Sequence, residues 1–270
     1  MRFYHLSAWM HSTVFYHTIT HHLVTRTLIG GLLATATVAS STQSIALHAR
    51  FTPDRLGVPT NLSATGQLAS ADGGIPSPVT KVAFYTPAGA RIDLRGAGTC
   101  TAVKLERVGP SACPANSRAG FGGGVGLFQL AGETIREQFT VDLFLAPREA
   151  GHLALLAYVR ATNPASIELV LTAREIKAPK PYGLGFSVEV PLIPTIPGAS
   201  DASVESAFIT LGSPNVAYYE TVHGKRALQR LRGLISPKTC PPGGFPFQSA
   251  FDFADGTTTT ANALIPCPRS

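Results

Sequence analysis

Four cysteines are the residues with the most definite chemistry in this chain: Cys100, Cys113, Cys240 and Cys267. An even number of cysteines is typical of a disulfide framework when an export signal precedes them, and the N-terminal segment described below has the features of such a signal. Of the three connectivities, pairing of nearest neighbours is the most economical, and it joins Cys100 to Cys113 and Cys240 to Cys267. Zinc is the competing interpretation, but structural zinc sites use closely spaced Cys or His pairs, which these cysteines do not form. We therefore predict two disulfides and no metal site.

Histidines and hydroxyl groups are the next candidates for chemistry. Five of the eight histidines lie in residues 1–22, and His48, His152 and His223 are far apart. A serine hydrolase commonly carries its nucleophile in a GxSxG turn, and the chain contains no such pentapeptide. No two carboxylates stand out as a glycosidase pair. His152 or His223 could join a site assembled from distant residues, which keeps a secreted hydrolase as the alternative. We predict no catalytic residue and no cofactor.

Tyrosines are the aromatic side chains best suited to contact a ligand. The single Trp, Trp9, lies in the N-terminal segment, so stacking platforms in the rest of the chain would have to be built from Tyr. Tyr182, Tyr218 and Tyr219 lie near Pro-rich or turn segments. Neighbouring residues of a strand point to opposite faces, so Tyr218 and Tyr219 cannot both face one sheet. We take these three tyrosines as candidate ligand contacts.

The chain is weakly basic. Its formal net charge is +6, and removal of Arg2 and Arg26 with the N-terminal segment leaves +6 − 2 = +4. Lys and Arg are scattered along the chain, which argues against a nucleic-acid partner and favours an ordinary solvated surface. The segment 120–126 (GFGGGVG) lacks the GK[ST] of a phosphate-binding loop, and we interpret it as a flexible turn or a bulged strand.

The N-terminal segment has the features of a signal peptide. An apolar stretch of 12 residues, 28–39, follows Arg26 and is too short to span a bilayer as a mature helix. Small residues permit cleavage after Ala46 or Ala49, and we predict a leader of residues 1–46. A later translation start at Val24 explains the His-rich beginning better than a metal-binding tract does. No lipid-attachment cysteine follows the apolar stretch, so we predict a secreted protein with no stable membrane anchor.

The rest of the chain has the composition of a β-protein. Only 14% of the residues are charged, and 26 Gly and 21 Pro indicate many short strands joined by turns. The predicted fold is all-β, an antiparallel β-sandwich of about ten strands with a jelly-roll-like order as one form, in a single domain over residues 47–270. The clearest predicted strands are 138–146, 153–159 (apolar on both faces), 167–176, 184–190 and 204–211.

Gly and Pro mark the connections between these strands. Segment 52–78 is predicted to be a loop, and the Pro-rich segment 191–200 an edge or a crossover. Strands 79–86 and 91–95 are predicted to pair around a turn at residues 87–89. Strands 218–222 and 227–235 are predicted to pair around His223-Gly224-Lys225, with a short helix as the alternative.

The last hairpin, between Cys240 and Cys267, has the strongest pattern. Its four phenylalanines, at positions 245, 247, 251 and 253, all lie at odd positions, so their rings are predicted to share one face. Asp255-Gly256 is typical of a two-residue type I′ turn. That turn would place Phe251 opposite Thr260 and Gly244 opposite Cys267.

Three segments resemble an uncharacterised family of secreted actinobacterial proteins. They are GTCTAVKLERVGPSACPANSRAGFG (98–122), EVPLIPTIPGASDASVESAFITLG (189–212) and TCPPGGFPFQSAFDFADGTTTTANALIPCP (239–268). The resemblance implies export, disulfides and a β-rich fold, and it carries no activity or catalytic residue to transfer.

These observations favour a non-enzymatic binding or structural protein over an enzyme. Export, disulfides and strands without a catalytic motif are typical of extracellular modules. We expect the partner to be a cell-envelope polymer or another extracellular protein, contacted through loops and an aromatic patch.

Overall fold

The computed structural model describes residues 43–193, 197–212 and 216–268. Fifteen strands and one short α-helix form the fold of these residues. In chain order they are β1 (Gln43–Thr52), β2 (Asn61–Ser70), β3 (Val79–Pro87), β4 (Arg91–Asp93), α1 (Ala102–Val108), β5 (Arg118–Leu130), β6 (Glu133–Leu145), β7 (Ala154–Ala161), β8 (Ile167–Lys177), β9 (Tyr182–Glu189), β10 (Ser203–Leu211), β11 (Ala217–Val222), β12 (Lys225–Arg230), β13 (Gly233–Ile235), β14 (Phe245–Phe253) and β15 (Thr258–Ile265).

Eleven strands form one antiparallel sheet in the order β1-β2-β10-β5-β6-β7-β8-β9-β3-β14-β15. Its two edges meet, because the Thr259 hydroxyl of β15 donates a 3.0 Å hydrogen bond to the backbone carbonyl of Gln43 in β1. The nearly closed sheet encloses an interior in which Leu211 of β10 packs with Phe186 of β9. The predicted all-β antiparallel fold is confirmed, and one curved sheet supplies both layers of the sandwich.

Side chains alternate between this interior and the outer surface along each strand. In β6, Val141, Leu143 and Leu145 belong to a buried interior cluster, whereas Phe144 lies on the opposite face. The four phenylalanines of β14 share the inner face, as predicted, and they divide between two clusters near the ends of the strand. Apolar alternation therefore determines which face of the sheet is buried.

Helix α1 covers the outer face of β6 and β7. Leu105 packs there against Phe144, Leu156 and Tyr158. The Thr101 hydroxyl caps the helix by accepting a hydrogen bond from the backbone N–H of Lys104 at 3.4 Å. This cover explains why segment 153–159 is apolar on both faces. The helix itself was not predicted, because only a disulfide-sized loop was expected between Cys100 and Cys113.

Strands β4 and β13 form a two-stranded ribbon that does not belong to the hydrogen-bonded ladder of the main sheet. Gly233 pairs with Asp93, and Leu234 pairs with Ile92. The predicted pairing of β3 with β4 is therefore wrong, because β3 pairs with β9 and β14 instead. Ile92 and Leu234 both pack into the interior, where a small apolar cavity of about 50 Å³ remains.

The second ribbon, β11 with β12, confirms a hairpin in this region and excludes the helical alternative. The predicted strand 227–235 is wrong in its extent, because β12 already starts at Lys225 and ends at Arg230, and residues 233–235 form β13, which pairs with β4. Val222 pairs with Lys225, which leaves a two-residue loop of His223 and Gly224. Both loop residues have positive φ, 49° and 74°, as a type I′ turn requires.

The turn between β14 and β15 corrects the prediction for the last hairpin. Phe251 lies opposite Thr259 rather than Thr260. The backbone N–H of Phe253 donates to the Thr257 carbonyl at 3.0 Å, so the loop has three residues. Gly256 alone takes a positive φ, 80°, which is the geometry of a type I turn followed by a left-handed residue. The Asp255 carboxylate stabilises this loop by accepting the backbone N–H of Thr257 at 2.9 Å.

One strand lies where the sequence predicted a loop. The predicted loop 52–78 contains β2, whose small and polar residues hide the alternation of buried Leu62 and Leu68. The segment GFGGGVG belongs to β5, so of the two interpretations it is a strand and not a flexible turn. The register shift of β5 against β6 lies between Arg118 and Gly120, at the start of the segment. A Cβ atom at Gly120 or Gly124 would clash with the backbone carbonyl of Thr210 or Ser206 in β10. Glycine is needed there because the two backbones approach closely.

Strand β1 overlaps the predicted leader, whose residues 1–42 lie outside the described part of the chain. Gln43 pairs with Ser70, and the pairing continues to Thr52 opposite Asn61. Cleavage after Ala46 would remove four residues of this strand. No helix in residues 43–193, 197–212 or 216–268 has the length and apolar character needed to cross a bilayer.

Candidate functional site

An open groove of about 440 Å³ beside strand β4 is lined largely by arginine. We call it the arginine groove. Its lining residues are Arg91, Ile92, Asp93, Leu94, Arg95, Arg148 and Arg232. Four arginines and one aspartate therefore line the groove together with Ile92 and Leu94, two residues that also pack against the interior.

The ribbon of β4 and β13 positions most of these side chains. Ile92 packs into the interior, so its neighbours Arg91 and Asp93 point outward. Arg232 directly precedes β13, and the pairing of Gly233 with Asp93 brings Arg232 Nη1 to 3.7 Å from Asp93 Oδ2.

The loop after β6 supplies the fourth arginine. Arg148 Nη1 donates a 2.7 Å hydrogen bond to the backbone carbonyl of Gly151, three residues further along the same loop. Within the described part of the chain, this is the one hydrogen bond of the Arg148 guanidinium.

Asp93 organises the centre of the groove. Arg95 binds its carboxylate with two hydrogen bonds, Nε to Oδ1 at 3.0 Å and Nη2 to Oδ2 at 2.6 Å. The hydrogen bonds from Arg95, with the nearby charge of Arg232, lower the pKa of Asp93 from 3.8 to about 2. Asp93 is therefore ionised at neutral pH, and it holds Arg95 in a fixed orientation.

The charges of the groove do not cancel. Four arginines and one aspartate give a formal charge of 4 − 1 = +3. Arg91 forms no ion pair with another described residue, and Arg232 only approaches Asp93 at 3.7 Å. Guanidinium groups present planar forks of donors that match carboxylate and phosphate oxygens. The groove therefore has the chemistry of an anion-binding site.

Two of the predicted ligand-contact tyrosines lie on the ribbon next to this groove. The Tyr218 side chain packs against Gly96, the neighbour of Arg95, so closely that a Cβ atom at Gly96 would overlap its hydroxyl. Tyr219 points to the opposite face, as predicted, and its side chain is 60% exposed. The guanidinium of Arg226 lies over the Tyr219 ring at 4.1 Å from the centroid. Only Tyr218 is therefore beside the groove.

The third predicted tyrosine, Tyr182, lies elsewhere on the protein. It begins β9 and pairs with Pro87 of β3. Its ring lies 5.8 Å from the ring of Tyr85, centroid to centroid. The structure therefore separates Tyr182 from Tyr218 and does not gather the three tyrosines into one patch.

The two histidines considered for a hydrolase are both exposed and lie on turns. His152 Nδ1 is 3.9 Å from Glu175 Oε2, and His223 forms the tip of the β11–β12 ribbon. Ser117, which lies in the sequence PANSRAG, is fully buried and donates its hydroxyl to the Pro114 carbonyl at 2.6 Å. Ser117 is thus not a nucleophile, and the hydrolase stays an alternative without a described catalytic group.

Both predicted disulfides are present, Cys100–Cys113 and Cys240–Cys267. Across the described ranges, no three His, Cys, Asp or Glu side chains lie close enough together to hold a metal ion. The first disulfide encloses α1, and the second joins the open ends of β14 and β15. The cysteines therefore support the fold, and they do not line the arginine groove.

Comparison with known proteins adds no relative to this description, because no family model, no curated protein and no solved structure matches the chain. The resemblance to secreted actinobacterial proteins therefore stays a prediction.

Sequence reasoning missed the arginine groove because its arginines are scattered along the chain. Arg91 and Arg95 are four residues apart, Arg148 follows more than fifty residues later, and Arg232 lies beyond residue 230. The repeated arginine on both sides of Asp93 is the single local signal. The pairing of β4 with β13, which no local pattern predicts, brings the rest together.

Proposed function

We propose that this protein is a secreted, non-enzymatic β-protein of the extracellular space or the cell envelope that binds an anionic polymer in the arginine groove. The ligand class is a chain that carries repeated phosphate or carboxylate groups, whether anchored in an envelope or free in the medium. The groove is open to solvent, which suits a segment of a chain better than a small enclosed metabolite.

The presence of four arginines and one aspartate in the lining of a single groove carries this proposal. Asp93 holds one of these groups, Arg95, in place. Arg91 and Arg232 keep donors free for a ligand. A net positive groove attracts polyanions from a distance and binds them through charge-assisted hydrogen bonds.

The extracellular location rests on separate observations. Two disulfides in a chain of this size are typical of an oxidising compartment, and the N-terminal segment has a signal-peptide pattern. Because β1 is fully paired from Gln43 onward, we place the end of the leader before Gln43 rather than after Ala46. Mass spectrometry of the native product is expected to find an N-terminus at or shortly before Gln43. An N-terminus at Leu47 would contradict this boundary.

The binding test uses anions that contain no sugar. Long-chain polyphosphate and poly-L-glutamate, each titrated into the protein at low salt, are expected to bind, whereas poly(ethylene glycol) is not. Arg91→Gln and Arg232→Gln are each expected to weaken binding about threefold to fivefold, since each removes one partly exposed charge. The double variant is expected to weaken binding at least tenfold.

Arg50→Gln is the matched control, because Arg50 is exposed on β1 and does not line the groove. It lowers the net charge by the same amount and is expected to change the affinity less than twofold. Equal losses in Arg50→Gln and Arg91→Gln would mean that only overall charge matters, and the proposal would fail. Retention on isolated cell wall, lost in the double variant, would identify the envelope as the source of the polymer. If the groove binds an acidic protein and neither polymer, the proposed polymer ligand is wrong and the partner is a protein.

A further inference from the structure

A second surface lies on the outer face of strands β8, β9, β3, β14 and β15. It differs from the arginine groove in its lack of charged side chains along one row of residues. One row of paired residues crosses it: Ile176, Gly185, Tyr85, Gln248 and Asn262. The neighbours Phe84 and Phe186 stack on each other in the interior, 5.4 Å apart. Alternation therefore places the row on the outer face.

Two tyrosine rings form the apolar part of this surface. The rings of Tyr85 and Tyr182 are 5.8 Å apart and inclined by 33°. Gly185 has no side chain beside them, and a Cβ atom there would lie 3.0 Å from the Tyr85 ring. The Tyr85 ring thus lies over Gly185, and the two half-buried tyrosines form a shallow platform.

Two amides form the polar part. Asn262 Oδ1 accepts a hydrogen bond from Gln248 Nε2 at 2.8 Å and another from the Tyr182 hydroxyl at 3.3 Å. These bonds fix both amides and the tyrosine relative to one another. The Nδ2 group of Asn262 and the Oε1 atom of Gln248 have no partner among the described residues. One donor group and one acceptor are therefore available beside the rings. We call these four residues, Tyr85, Tyr182, Gln248 and Asn262, the tyrosine–amide face.

The tyrosine–amide face is uncharged. Its side chains are two phenols and two amides, which have no formal charge in the standard count. Two ion pairs lie further along the same strands, Lys81 with Glu189 at 2.8 Å and Arg174 with Glu149 at 2.9 Å. The four residues of the face themselves offer a ligand no formal charge.

We propose that the tyrosine–amide face binds a neutral saccharide. The apolar C–H face of a pyranose ring packs on an aromatic ring, and its hydroxyls both donate and accept hydrogen bonds. The free donor of Asn262 and the free acceptor of Gln248 match such a pair of hydroxyls, and their fixed positions lower the entropic cost of binding. This site is independent of the arginine groove and does not depend on the function proposed for it.

Affinity electrophoresis in gels that contain hydroxyethyl cellulose, laminarin, galactomannan or dextran tests this proposal. At least one of these neutral polysaccharides is expected to retard the protein, equally at low and high salt. Tyr182→Ala is expected to weaken the retarding interaction about tenfold or more, as removal of an aromatic contact commonly does. Asn262→Ala is expected to weaken it several-fold, and because Asn262 is exposed on β15 this variant avoids a loss of core packing.

Tyr219→Ala is the matched control, because it removes an exposed tyrosine from the β11–β12 ribbon and leaves the tyrosine–amide face intact. It is expected to migrate like the unchanged protein in every gel. Absence of retardation by all four polysaccharides would overturn the proposal. Retardation that persists in both Tyr182→Ala and Asn262→Ala would overturn it as well. Neither result would affect the arginine groove, which is tested with polyphosphate and poly-L-glutamate.

Discussion

The arginine groove and the tyrosine–amide face differ in how the fold builds them. The groove takes its side chains from a short ribbon and a loop, and its residues are held by ion pairs around Asp93. The tyrosine–amide face takes its side chains from adjacent strands of the main sheet, and strand register alone places Tyr85 opposite Gln248 and Gln248 opposite Asn262.

This difference contrasts a charged surface built from long arginine side chains with a neutral surface built from tyrosine rings and hydrogen-bonded amides. The proposed attraction of the arginines for a polyanion would act over about a Debye length. Tyrosine rings and bonded amides act only on contact, and they select shape. The two surfaces should therefore respond in opposite ways to the same changes.

Salt concentration should give the largest difference between the binding affinities of the two surfaces. A tenfold increase in salt concentration is expected to weaken polyphosphate binding by a few hundredfold, because release of counterions scales with the number of neutralised charges, about three here. Binding of a neutral polysaccharide is expected to stay constant. Titrations at two salt concentrations measure both effects. Loss of both interactions in salt would mean that the tyrosine–amide face does not bind a neutral ligand.

Removal of one disulfide should affect mainly one surface. The paired change Cys240→Ser and Cys267→Ser is expected to lower the free energy of unfolding by about 3.5 kcal/mol in the chain-entropy account of a bridge. This bridge ties the ends of β14 and β15, which carry Gln248 and Asn262. Well below the melting temperature, saccharide binding should weaken while polyphosphate binding is retained.

The bridge Cys100–Cys113 supplies the comparison for that experiment. Its removal is expected to cost about 3 kcal/mol, and it releases α1 from the outer face of β6 and β7 without touching β14 or β15. Saccharide binding should then persist. If both pairs of changes weaken saccharide binding equally, binding at the tyrosine–amide face depends only on the global stability of the fold. Denaturant unfolding and affinity electrophoresis provide the two measurements.

Neutralisation of Asp93 should strengthen one surface and leave the other unchanged. Asp93→Asn removes the single carboxylate of the groove and frees part of Arg95, so polyphosphate affinity is expected to rise about threefold to fivefold. Neutral polysaccharides should bind as before. An unchanged or lower polyphosphate affinity, in a variant that melts at the same temperature, would show that Asp93 positions Arg95 more than it repels the ligand.

Moderate acid should change neither surface. Because the folded pKa of Asp93 is lowered to about 2, its stabilising contribution is present above its ordinary pKa of 3.8 and is lost only as the pH falls through about 2. Polyphosphate binding between pH 5 and pH 8 is therefore expected to vary less than twofold. A larger change within that range would show that a titrating group other than Asp93 controls binding.

Sequence reasoning succeeded where a local pattern reports burial, and it failed where the structure depends on pairing between distant segments. Strong apolar alternation predicted which faces of β6 and β14 are buried, because apolar periodicity reports burial directly. It also predicted where β10 lies along the chain. It failed for β2, whose Gly66 and small polar residues dilute the pattern. It also failed for β4, whose three residues pair with β13 from the far end of the chain. Local patterns do not contain that pairing.

Candidate sites were predicted only in part, for the same physical reason. Tyr182 was chosen from its type, but its partners Tyr85, Gln248 and Asn262 become neighbours only through the register of β9, β3, β14 and β15. The four arginines of the groove come together through the ribbon and the loop after β6. The cysteine pairing was predicted correctly, because the choice of nearest neighbours requires only the distances between cysteines along the sequence.

The position of β10 in the sheet bears on how the chain is made. This strand, Ser203–Leu211, lies between β2 and β5, and the glycines of β5 admit its backbone. The first two hundred residues emerging from a ribosome thus lack the piece that joins β1 and β2 to the rest of the sheet. Such long-range pairing makes folding slow. A chain that must be threaded unfolded through a translocation channel would gain from that delay, since its architecture cannot be completed before most of it has been synthesised.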